Sequence, residues 1–209
     1  MDEGRDNGGQ RWLLFIYRVP QEPPGRRTYV WRQLKGLGAA YLQQAATILP
    51  DRPELRAALT ALERRIAEYD GEASLLETTS PNATWEQETI TRFDEARDAE
   101  YAELYENVER LEDEIARESR RGKFTFAELE DLEADWEKLV RWLHRIAVRD
   151  FFGAPSRVET DAVLDRARAA LDGFTARVYD QPDTTEEMAL PVAPRDTEEP
   201  AHDTQDVTR

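Results

Sequence analysis

Four cations gather within one short stretch of this chain, Arg26, Arg27, Arg32 and Lys35, with Tyr29 and Trp31 between them. The cationic side chains suit a phosphate backbone, because such charges supply affinity and salt dependence without reading sequence. A helical apolar spacing on Val30, Trp31, Leu34 and Leu37 places the four at and along one helix, whose first amides add positive potential to the same surface. A solvated helix face over a packed Trp31 explains the same residues equally well, and the sequence leaves both readings open. A second set, Arg141, Arg145 and Arg149, recurs every four residues with His144 beside it. Arginine's fixed fork of donors fits a tetrahedral oxyanion. The plainer alternative pairs Glu137 with Arg141 and turns the other two toward a neighbouring acidic helix.

Other chemistries find little support. The chain has no cysteine and two histidines, His144 and His202, so disulfides, thiolate metal sites and cysteine nucleophiles all drop out. No GxSxG or phosphate-loop spacing occurs. The run Glu100, Glu103, Glu106, Glu109, Glu112, Asp113 and Glu114 lacks the Glu-x-x-His pairs of a di-iron bundle. It reads as a solvated helix face, each favourable i, i+4 ion pair contributing ~0.3–0.5 kcal/mol. The expectation is a protein with no catalytic residue, no bound metal and no cofactor.

The net charge of −16 over 209 residues hides an asymmetry. Residues 11–66 hold ten bases against four acids, net +6, whereas residues 83–182 hold 25 acids against 15 bases. A local basic face can bind phosphate on an acidic protein. The opening MDEGRDNGGQ lacks the basic-then-apolar order of a secretion signal, and no apolar run approaches a membrane span. These features predict a cytoplasmic protein without a membrane partner.

The elements that must hold the candidates follow from periodicity. Residues 1–10 read as a flexible leader. An apolar, β-prone run from Trp12 to Val19 meets Pro20, Pro23, Pro24 and Gly25, which force a turn. A helix over 29–37 ends at Gly36 and Gly38, and a second β-prone run follows over 40–49. A helix over 53–69 carries Leu55, Leu59, Leu62 and Ile66, and Ala73 to Thr78 read as a further strand. The order predicts an α+β fold, with residues 11–80 forming a ferredoxin-like, split βαβ sheet domain. Trp12, Phe15, Val30, Leu34, Leu55, Leu59 and Leu62 should supply much of its core. Ten residues at 40–49 look too short for a hairpin, leaving the fourth strand missing or supplied from elsewhere.

Ser80-Pro81-Asn82 marks a boundary, after which the chain turns helical and acidic. Three capping-box patterns, Thr84-x-x-Gln87, Thr125-x-x-Glu128 and Ser156-x-x-Glu159, punctuate it. Apolar stripes predict helices over 85–121, 126–149 and 157–179, the last using Val158, Val163, Leu164, Leu171, Phe174 and Val178. Together residues 83–180 form an acidic three-helix subdomain. Phe151-Phe152 reads as a core plug at a helix end. Residues 181–209, rich in Thr, Pro, Asp and Glu with no apolar period, read as a disordered acidic tail.

Five segments carry a family resemblance: Trp12-Leu-Leu-Phe-Ile-Tyr17; Tyr29-Val-Trp-Arg32 through Leu42-Gln43-Gln44; Asp94-x-x-Arg97-Asp98-x-Glu100-Tyr101; Lys123-Phe-Thr-Phe-Ala-Glu128; and Arg149-Asp-Phe-Phe-Gly-Ala-Pro155. In this order, over residues 12–180, they resemble the N-terminal domain of the chromate-resistance regulator family, ChrB. The first segment more distantly resembles the middle domain of PaaX-type repressors, which has the ferredoxin-like fold of CRISPR-adaptation nuclease-like proteins. Those nucleases carry an acid at the end of the first strand; here Tyr17-Arg18-Val19-Pro20 stands there, and metal-assisted cleavage needs clustered carboxylates. The resemblance implies a cytoplasmic regulator of a chromate-efflux operon. With the catalytic chemistries set aside, the expectation is a non-catalytic transcriptional regulator or regulator fragment, with promoter DNA as candidate partner and chromate as candidate effector. Family members are usually longer, with a C-terminal domain associated with chromate sensing. An interaction module that forms a homodimer through its sheet and acidic helices is the alternative.

Overall fold

The computed structural model describes residues 9–180. The expected flexible leader, apart from its last two residues, and the expected acidic tail lie outside the described residues. The elements run β1 (Arg11–Arg18), α1 (Arg26–Gly36), β2 (Ala40–Gln43), β3 (Ala46–Pro50), α2 (Pro53–Ala67), β4 (Glu72–Thr79), α3 (Ala83–Arg121), α4 (Phe126–Ala147) and α5 (Arg157–Tyr179).

The sheet order is β2-β3-β1-β4, and every neighbouring pair is antiparallel. β1 therefore runs parallel to β2 with β3 between them, and β3 parallel to β4 with β1 between them. That is the split βαβ arrangement, α1 and α2 being the two crossovers. One expectation is overturned: residues 40–49 are not a single run but a hairpin. β2 and β3 pair antiparallel across Gln44-Ala45, with a register shift between Tyr41 and Gln43, and supply the strand thought missing. Eleven residues, 40–50, suffice because the two strands are only four and five long.

Side chains alternate across the sheet. Leu13 and Phe15 face α1 and α2: Leu13 pairs with Glu77, whose carboxylate binds Arg56 on α2. Trp12, on the opposite face, is covered by α3 and the 149–156 loop, stacking on Phe93 with centroids 5.9 Å apart and meeting Trp85 edge-on at 6.0 Å. Its indole N–H donates to Ser80 Oγ. All seven expected core residues are buried. Farther along that face, Ile16 and Leu76 are exposed.

A second core lies among α3, α4 and α5, built on Tyr101, Leu104, Val108, Leu129, Leu132, Ile146, Val163, Leu171 and Phe174. α3 belongs to both cores, giving Phe93 to the sheet and Tyr101 onward to the helices. Its 39 residues span about 58 Å. Of the three capping boxes, only the second has its cap bond, Glu128 N–H donating to Thr125 Oγ1. The cap of α3 lies two residues before Thr84, because Asn82 Oδ1 takes the Trp85 N–H and the helix starts at Ala83. Ser156 has helical backbone angles and makes no side-chain cap bond. Val158, expected on the apolar stripe of α5, is exposed.

Candidate functional site

The four cations on α1 part company in the fold. Gly25, at φ 100°, lets the chain turn into the helix three residues earlier than the apolar spacing suggests. Arg26 is drawn inward: its Nη1 donates to the Tyr69 carbonyl at 3.0 Å, and its guanidinium lies 5.0 Å from the Tyr69 ring centre. Tyr29 meets Tyr69 edge-on, so both residues fasten α1 to the end of α2. Arg27, Arg32 and Lys35 remain exposed and make no side-chain hydrogen bond or ion pair among the described residues. Trp31, buried in one reading of the sequence, is 47% exposed, with Lys35 Nζ 5.8 Å from its ring centre.

Trp31 and Arg27 border a cleft of about 400 Å³ between α1, the end of β1 and the β2–β3 turn. Tyr17, Arg18, Tyr41 and Gln44 line it further, and no carboxylate does. The Tyr17 and Tyr41 hydroxyls lie 3.4 Å apart. Burial, and then the bond to Tyr17, push the Tyr41 hydroxyl well above the ordinary tyrosine range, so it stays protonated.

The three arginines expected to hold an oxyanion do not converge. Arg141 pairs with Glu137 at 3.1 Å. Arg145 remains on the surface, its carbonyl accepting from Arg149 Nε. Arg149 turns away and grips Glu100 with both terminal nitrogens, at 3.2 and 2.6 Å.

That grip belongs to a partly buried charge cluster where the sheet domain meets the helices. Glu100 also accepts from Arg97 Nη2 at 2.8 Å. Tyr101 donates its hydroxyl to Asp150 Oδ2 at 3.1 Å, while Asp150 Oδ1 takes the amides of Gly153 and Ala154. Asp98 accepts the Ser156 N–H at 2.8 Å. Across from them Gly38, at φ 78°, comes so close that a Cβ there would lie 3.0 Å from Arg149 Cβ. Arg52 of the sheet domain reaches over to the Phe151 carbonyl. Two of the five resemblance segments, 94–101 and 149–155, are thus one physical object: a clamp holding the helices against the sheet. Burial depresses the Arg97 pKa against the pull of Glu100, and burial, helped by Asp150 and Asp98, raises that of Asp94. Burial and Asp150 push Tyr101 up to about 12. Arg97 Nε and Nη1 and Asp94 Oδ1 have no hydrogen-bond partner among the described residues.

Sequence reasoning missed Arg97, Glu100 and Asp150 as a unit. The signal was present in position: Arg97 stands four residues from both Phe93 and Tyr101, on the inward stripe of α3. Among the described residues no His, Asp and Glu side chains group so as to hold a metal ion, and no helix is long and apolar enough to cross a membrane.

Residues 27–185 match the family described as Protein ChrB, N-terminal. A curated relative, Protein ChrB of Cupriavidus metallidurans (strain ATCC 43123 / DSM 2839 / NBRC 102507 / CH34), is 37% identical over 92 residues, which cover 44% of this chain and 28% of that protein. The alignment thus takes in less than a third of the relative's length.

Proposed function

This chain belongs to the ChrB N-terminal family, and from that premise we propose that it is a ChrB-like transcriptional regulator, or the regulatory fragment of one, associated with chromate resistance and acting without catalysis. The observation that carries the reading is the set of exposed cations on α1. Arg27, Arg32 and Lys35 have no charge partner among the described residues of a strongly acidic chain, where most other arginines are paired. Unpaired, solvent-facing cations beside a half-exposed tryptophan are free to meet phosphate oxygens, whereas Arg26 is spent on the fold. The acidic faces of α3 and α4 would turn away from the duplex, since their repulsion would otherwise cancel the attraction.

A gel shift on the chain's own promoter at low salt, with and without chromate, tests this. The expected result is a shift that weakens steeply with salt. Joint replacement of Arg27, Arg32 and Lys35 by alanine should flatten the salt slope by roughly one unit per lost contact. A shift indifferent to the triple change would keep the regulator and discard the site.

Chromate as effector is part of the same proposal, and the Arg141–Arg145–Arg149 face is its candidate site. Binding there requires Arg149 to leave Glu100, so chromate should shift the melting temperature of the chain if this face takes it.

The second reading, a dimerising interaction module without DNA binding, is favoured by one observation. β4 is an eight-residue edge strand, paired only with β1 among the described residues, and Leu76 and Ile16 are exposed beside it. A stable dimer in sedimentation together with no shift on any DNA would select this reading.

A further inference from the structure

We propose that the cleft bordered by Arg27, Trp31 and Tyr17 takes one unstacked nucleotide of a DNA single strand, its base on the Trp31 face and its two flanking phosphates on Arg27 and Lys35. The inference rests on the reading that α1 faces DNA, and it gives that surface a second kind of contact. Phosphate binding to a duplex needs cations only, and it gives no reason for an indole to stand half-exposed between them.

Arg27, Trp31 and Lys35 lie at i, i+4 and i+8 on α1, with about 6 Å of helix rise between neighbours. The order is cation, ring, cation. A nucleotide within a strand has the same order, a π-face between two phosphates. A free mononucleotide carries its charge on one side only and would leave one cation unused. The cleft behind the ring suits a base edge: the Gln44 amide offers a donor and an acceptor, and the Tyr17 and Tyr41 hydroxyls add two more polar groups. No carboxylate lines it, although the sequence holds 44 acidic residues. Stacking platforms flanked by cations are how single strands are held without sequence readout.

The test is fluorescence anisotropy of a labelled oligothymidine, and of a duplex of equal length, with the full chain at low salt. Trp31→Ala should weaken oligothymidine binding by about 5- to 150-fold, the range that one stacked base contributes. Trp31→Phe should retain most of the affinity, and it keeps the test alive if the alanine variant folds poorly. Duplex binding, carried by phosphates, should change little in either variant. Oligothymidine bound equally well without the Trp31 ring, or a duplex bound while oligothymidine is not, overturns the inference and leaves the regulator standing. Trp31-dependent binding of oligothymidine with no duplex binding supports the inference and sinks the regulator reading. Displacement of the oligonucleotide by an equal concentration of thymidine monophosphate would reassign the cleft to a free nucleotide and overturn the strand.

Discussion

Among the described residues Glu100 is the only acceptor that Arg149's terminal nitrogens have, and it also takes the one satisfied nitrogen of Arg97. Removing its charge would leave two largely buried guanidiniums facing each other. Glu100→Gln should therefore cost roughly 3–5 kcal/mol in denaturant unfolding, toward the low end because Glu100 is itself about a quarter exposed. An unchanged unfolding midpoint would show that the clamp contributes little. Asp94 should behave in the opposite sense. Its folded pKa is raised above the ordinary 3.8, chiefly by burial, so its ionised form carries a penalty that is complete above the folded pKa and vanishes as pH falls toward 3.8. Asp94→Asn should raise the melting temperature at pH 7, and the gain should fade on acidification. A loss of stability at pH 7 would refute the assignment. The residue types in this cluster were plain in the sequence, but their pairing was not. Arg149 lies 49 positions from Glu100, and no local spacing announces a contact made across a fold.

Among the elements, α2 shows how much periodicity alone conveys. Its Leu55, Leu59, Leu62 and Ile66 stripe is buried as the spacing requires, with Leu59 fully so. Leu59→Ala should cost roughly 2–5 kcal/mol by thermal or chemical unfolding, through lost burial and the cavity left behind. The start of α3 was less legible, because Asn82 and Thr84 are both good caps and only the fold chooses between them. Asn82→Ala should cost ~1 kcal/mol and Thr84→Ala much less, measured the same way. The β2–β3 hairpin was hidden for a related reason. Gln44-Ala45 has none of the glycine, asparagine or aspartate that marks a two-residue turn, and the strands are held instead by pairing to each other and to β1. α1 was legible as a helix, yet which of its cations face water depended on Tyr69, far along the chain.

At the scale of the whole molecule, the boundary at residues 80–82 divides the chain but not its packing, because α3 contributes to both cores. The place of β1 has a further consequence for anyone handling the gene. The family match begins at residue 27, whereas β1 ends at Arg18 and lies between β3 and β4 in the middle of the sheet. A fragment trimmed to residues 27–185 would lose its central strand, leaving β3 and β4 parallel with a gap about one strand wide between them. Such a fragment should express with its helices formed and its sheet open, and a synthetic peptide of residues 9–25 should close it in trans. Circular dichroism titrated with that peptide would show complementation as a saturable gain of strand signal, and its absence would mean that the fragment folds without β1. If the two pieces do recombine, the segment between β1 and α1 is a natural place to divide the protein into a split pair whose reassembly reports on whether its two halves have met.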